Sequence, residues 1–118
     1  MKRLRLPLTL LCLVAAAPAA FAAGSSTPTN YTPDPALRRA APAELEARIR
    51  RACTVTQARQ QNVGETALGR PCGCYARQTM RSLDAGEVQA YRETGLFNDT
   101  ARAKAVAALQ GCGLPAPR

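Results

Sequence analysis

Four cysteines, Cys53, Cys72, Cys74 and Cys112, carry most of the chemical potential of this sequence, and no histidine is present to activate them. Eighteen, one and thirty-seven residues separate them in order. In an oxidising compartment an even set of thiols reads as a disulfide framework. One of the three possible connectivities closes Cys72 on Cys74 in a small strained ring. The other two tie Cys53 to Cys72 or Cys74 and Cys112 to the remaining one. Each such bridge adds about 3 kcal/mol by loop-closure entropy.

Two sharper readings compete with this brace. Cys72-Gly73-Cys74 could act as a thiol-disulfide exchange pair, because a helix N-terminus together with Arg70 and Arg77 favours thiolate. Cys53 or Cys112 would then resolve the strained disulfide. Against it, no thioredoxin-like alternation of strands and helices surrounds the motif. Soft metals are the third reading: four thiolates suit zinc, and the Cys-Gly-Cys segment with Met80 suits cuprous copper. Zinc sites usually space their paired cysteines by two or more residues, and exported thiols tend to be oxidised. The structural disulfide reading therefore leads.

Absences dispose of much other catalysis. With no histidine, Ser-His-Asp triads, Cys-His pairs and histidine metal sites are excluded. The acids Glu44, Glu46, Asp84, Glu87, Glu93 and Asp99 sit where helix caps or exposed faces place them. Gly64, Gly69 and Gly73 mark loop and helix ends without phosphate-cradling spacing. No catalytic residue, cofactor or metal is assigned.

The compartment follows from the first residues. Lys2, Arg3 and Arg5 precede an apolar run from Leu6 to Ala17, Pro18 breaks it, and Ala20-Phe21-Ala22 supplies small residues at a peptidase site. Residues 1–22 thus read as a signal peptide cleaved between Ala22 and Ala23. The run is too short and alanine-rich for a spanning helix of about 20 apolar residues. Thr9-Leu10-Leu11 before Cys12 lacks the small residue of a lipoprotein site, so Cys12 leaves with the leader. The mature chain should hold no membrane span and should lie in the periplasm or beyond it.

With the leader's three positive charges gone, 13 basic residues face 8 acidic ones, and all of the basic ones but Lys104 are arginine. Abundant arginine and alanine point to a GC-rich bacterial genome. The charges are dispersed as on solvated helix faces, with no basic reading module, so nucleic acid is not the expected partner. Arg48, Arg51, Arg77 and Arg81 are a candidate patch for an anionic envelope polymer.

Several helices must position these residues. Residues 23–43 hold Pro28, Pro33, Pro35 and Pro42 with almost no large apolar side chain and no periodicity, which predicts a disordered arm. Tyr31 and the Arg38-Arg39 pair are its only contact points. From Pro42 a helix runs to about Gln61, with Leu45, Ile49, Ala52, Cys53 and Thr56 on its inner face. A second starts near Pro71, burying Cys72, Tyr75, Ala76, Met80 and Leu83. Asp84 and Glu87 have capping-box spacing for a short third helix that Gly95 closes. Asn98 or Asp99 caps the last, whose inner face is Ala101, Ala105, Ala108 and Cys112, with Val106 and Leu109 beside it. No segment alternates long enough for a strand. The expectation is an all-α domain over residues 44–114, a small disulfide-stapled bundle of three to four short helices with a tail at 115–118. Its thin core makes staples valuable at this size. In function it should be a non-enzymatic binding or structural module of the bacterial cell envelope, with an unidentified envelope protein or anionic polymer as partner.

Overall fold

A computed structural model describes residues 31–117. The proposed signal peptide, its Ala22–Ala23 cleavage site and the beginning of the arm lie outside the described residues.

Four helices form the domain: α1 (Pro42–Gln61), α2 (Gly69–Ser82), α3 (Ala85–Thr94) and α4 (Asp99–Gly111). Short 3-10 turns at Pro35–Arg39 and Glu65–Leu68 precede α1 and α2, and there is no strand among the described residues. α2 is the central element, packed against α1 on one flank and α4 on the other.

α1 begins at Pro42, whose fixed φ and missing N–H suit a first turn. Ala41 has no side-chain oxygen to cap it, but its own N–H donates to Glu44 Oε2 at 2.9 Å. The helix ends at Asn62, which takes the left-handed conformation at φ 55°, one that asparagine tolerates better than most residues. Its buried row is Leu45, Ile49, Cys53 and Gln57, four residues apart throughout. Ala52 and Thr56, expected on the inner face, are exposed instead. A row of i+4 steps drifts about 40° per step around the axis, which leaves these two on a flank that borders an open cleft.

α2 carries Pro71 in its first turn and buries Cys72, Gly73, Tyr75, Ala76 and Thr79. Met80 and Leu83 are only half-buried. In α3 both halves of the capping box form: Glu87 N–H donates to Asp84 Oδ1 at 2.8 Å, and Asp84 N–H to Glu87 Oε2 at 2.9 Å. Gly95 then ends the helix at φ 71°. Asn98 is the cap of α4, accepting from Ala101 N–H at 3.0 Å. α4 closes in a Schellman motif: Leu114 N–H donates to Leu109 O at 2.9 Å, Gly113 N–H to Gln110 O at 3.2 Å, and Gly113 has φ 71°. Leu114 and Leu109 are both buried, the apolar contact such motifs favour.

The arm expected to be disordered through residue 43 needs correction from Tyr31 onward. Asp34 accepts from Ala36 N–H and caps the turn Pro35–Arg39, while Leu37 and Ala40 are buried. Arg92 of α3 donates twice to Ala40 O, at 3.2 and 3.0 Å, and Arg48 pairs with Asp34 at 3.2 Å. Tyr31 O–H donates to Thr94 O at 2.8 Å, and its hydroxyl, with Leu37, fills the space that a Cβ on Gly95 would need. Groups on α3 more than fifty residues downstream thus hold both ends of this segment, the Arg92 guanidinium at Ala40 O and the Thr94 carbonyl at Tyr31. A segment with one large aliphatic residue and no periodicity gives no local sign of such anchoring.

The core is thin, as the composition implies. It consists chiefly of Leu37, Leu45, Ile49, Leu68, Tyr75, Tyr91, Leu109, Leu114, small alanines and the Cys53–Cys72 pair. One charged group among the described residues is buried with it: Glu87 meets Lys104 Nζ at 2.8 Å. That contact, with the Asp84 backbone N–H, lowers the Glu87 pKa to about 2.

Candidate functional site

The sulfurs resolve into two bridges. Cys53 bonds Cys72, joining α1 to α2 with Cα atoms 5.6 Å apart. Cys74 bonds Cys112, joining α2 to the end of α4 with Cα atoms 5.9 Å apart. The pairing follows from helix geometry once the Cys-Gly-Cys segment is helical. Two positions along an α-helix are about 200° apart around the axis, so Cys72 and Cys74 leave α2 from opposite flanks. Each then meets the helix packed on its own side. All four sulfurs are committed to cross-helix bonds, and the exchange motif Cys72-Gly73-Cys74 is not closed on itself. No group of three or more histidine, cysteine, aspartate or glutamate residues among those described could hold a metal ion. Met80 packs against the core and lines a depression with Arg77 and Arg81.

The four arginines proposed as one patch fall into two pairs, Arg48 and Arg51 on α1 and Arg77 and Arg81 on α2. Arg77 and Arg81 line a shallow depression with Pro42, Ala43, Glu46 and Met80. Arg48 lies elsewhere, paired with Asp34. Glu46 and Arg48 are two residues apart on α1 and so face opposite flanks, which separates Arg48 from the α2 pair. Arg51 is exposed and lines neither depression nor cleft. Arg77 and Arg81 keep each other's company beside the Glu46 carboxylate, and Arg48 and Arg51 are i,i+3 neighbours on α1.

An apolar concavity, unlike the residues that line it, was not anticipated from sequence. It is a cleft of about 260 Å³ between α1 and the α3–α4 turn. Ile49, Cys53, Tyr75 and Leu109 line its interior, while Ala52 and Thr56 of α1 face Leu96 and Phe97 across its mouth. Tyr91 stacks on Phe97 with ring centroids 5.0 Å apart and planes inclined by 26°. Burial raises the phenol pKa of both Tyr75 and Tyr91, the latter despite the nearby Arg48 charge. Both rings therefore stay neutral across the physiological range, as apolar walls with hydroxyl edges. Leu96 at the rim is 43% exposed, one of few large apolar side chains left in solvent among the described residues.

One glutamine, Gln57, lines this cleft, and a second, Gln60, follows it on α1. Gln57 sits in the inner row of α1, 2% exposed, and its Nε2 donates to Pro115 O at 2.9 Å. Its Oε1 accepts from Gln61 Nε2 at 2.6 Å, so the buried amide is paired at both ends. One turn on, Gln60 Nε2 donates to Ala116 O at 2.8 Å. The stretch after Leu114, expected to be a plain tail, is thus fastened along α1, and Pro117 forms part of the cleft wall. Sequence offers one signal for this: a glutamine stands at the Leu45, Ile49, Cys53 step, where an apolar residue is expected.

Comparisons of this chain with protein-family models, with curated proteins and with solved structures find no match. The site must be read from its own chemistry. Two cross-helix disulfides fit a protein that matures outside a reducing cytoplasm. No described helix is long and apolar enough to cross a membrane.

Proposed function

We propose that the chain is exported behind residues 1–22, cut between Ala22 and Ala23, and works in the bacterial periplasm or outside the cell as a non-enzymatic binding module. Its recognition surface is the apolar cleft between α1 and the α3–α4 turn. The observation that carries this reading is the cleft itself: an aromatic, apolar hollow with few polar groups on its edge, the usual character of a binding site. The disulfides serve it by fixing its walls, since Cys53 lines the cleft and holds α1 to α2. Rigid support of this kind reduces the ordering entropy that association must overcome.

The test uses two rim residues whose side chains face solvent. Leu96→Asp and Ala52→Arg alter the mouth of the cleft without entering the core. Each variant should retain the far-UV spectrum of the wild type and lose a stoichiometric envelope partner that the immobilised wild type captures. Capture at equal yield by all three proteins would remove the cleft from the interaction.

A further inference from the structure

Gln57 is the least expected residue of the fold, a buried amide in a row of core side chains. Its partner gives it a meaning. Gln57 and Gln60 stand one turn apart, about 4.5 Å along the axis, and present two N–H donors to consecutive peptide carbonyls, Pro115 O and Ala116 O. The captured segment, Leu114-Pro115-Ala116-Pro117, contains two prolines that have no N–H to offer. Such a chain is recognised by its carbonyls and by the ridged shape of its rings. Proline-rich extended segments dock in this way, into grooves lined by aromatic residues with side-chain donors at the edge. Here Pro117 already leans on the wall of the cleft, and beyond it the hollow between Tyr75, Tyr91 and Phe97 is open.

We infer that Gln57, Gln60 and the aromatic cleft together form a docking site for an extended, proline-containing segment of a partner protein. Residues 115–117 occupy its outer part in cis and compete with that partner. The inference rests on the reading of the cleft as the recognition surface, and adds to it the chemistry of the occupant. The open inner part accepts a large apolar side chain next to the proline segment, so the favoured sequence alternates proline with aliphatic or aromatic residues. A tethered segment acts at an effective concentration in the millimolar range. Held by two hydrogen bonds, it should weaken a peptide in trans by about tenfold.

The probe is a fluorescein-labelled synthetic peptide of four Leu-Pro-Ala-Pro repeats, with a Leu-Ser-Ala-Ser peptide as control. Binding is read by polarisation on the mature chain, on Pro115→Gly/Pro117→Gly, and on that double variant with Gln60→Ala added. Gln60 is half-buried and lies outside the core, with its amide on Ala116 O, so its removal should not disturb folding, and thermal melts verify this. The proline peptide should bind the double variant about tenfold more tightly than the wild type. Addition of Gln60→Ala should reverse the gain, and the serine control should not bind. Absence of binding to both the wild type and the double variant, or binding that ignores Gln60, overturns the inference. If the Leu96→Asp and Ala52→Arg variants still lose their envelope partner in that case, the cleft remains the recognition surface and only the proline chemistry is wrong. If they do not, both readings fall together.

Discussion

Removal of either disulfide sets loop length against burial. Cys53–Cys72 closes a loop of 19 residues and Cys74–Cys112 one of 38. Loop-closure entropy assigns them about 3.2 and about 3.9 kcal/mol at 25 °C, which makes the longer bridge worth about 0.6 kcal/mol more. Burial acts in the other direction. Cys53 and Cys72 are 6% and 0% exposed, whereas Cys74 and Cys112 are half-buried. Truncation to alanine deletes two sulfurs from a packed interior in the first pair, at about 1.3 kcal/mol each with the cavity included, and less than half of that in the second. Burial wins. Cys53→Ala/Cys72→Ala should be less stable than Cys74→Ala/Cys112→Ala by about 1 kcal/mol, and both far less stable than the wild type. Urea denaturation followed by circular dichroism gives the comparison, in the cold and with sucrose present so that both variants show a folded baseline. If the Cys74–Cys112 variant proves the weaker, packing around Cys72 is looser than the structure shows and the reasoning fails.

The same difference in exposure governs reduction. Under limiting dithiothreitol, alkylation should mark Cys74 and Cys112 before Cys53 and Cys72, and simultaneous labelling would contradict the burial of the first pair. Leu37→Ala should lower stability by about 2–3 kcal/mol, as for a core leucine; an unchanged melting temperature would return this segment to the status of a free arm. Glu87 has a folded pKa of about 2 against the ordinary 4.5. Its share of stability is therefore complete above about pH 4.5 and is lost as pH falls from there towards 2. Glu87→Gln should flatten the urea midpoint over that interval, and a variant as acid-sensitive as the wild type would place the titration elsewhere.

Local rules of helix formation made much of this fold readable. Pro42 opens α1, Asp84 and Glu87 face each other across the start of α3, and Gly95 stops it, each through contacts within a few residues. What sequence could not give lies in contacts across the chain. Nothing near Tyr31 or Leu37 announces that Thr94, Arg92 and Gly95 will receive that segment. The disulfide pairing was open because it depends on which helix packs on which flank of α2. The cleft was hidden for the same reason: only the fold brings Tyr75, Tyr91 and Phe97 around one hollow. Gln57 was the one detectable irregularity, an amide at a core step whose partner lies 58 residues away.

The pairing of the cysteines is the measurement that reaches the whole account, because it fixes the helix arrangement that forms the cleft. A tryptic digest alone is insufficient, since no lysine or arginine stands between Cys72 and Cys74 and both stay in one peptide. Partial reduction with alkylation, followed by fragmentation at Gly73 under non-reducing conditions, distinguishes them. Cys53 joined to Cys72 and Cys74 joined to Cys112 is the predicted result. Cys53 joined to Cys74, Cys72 closed on Cys74, or free thiols in the folded protein would contradict the packing of α1, α2 and α4.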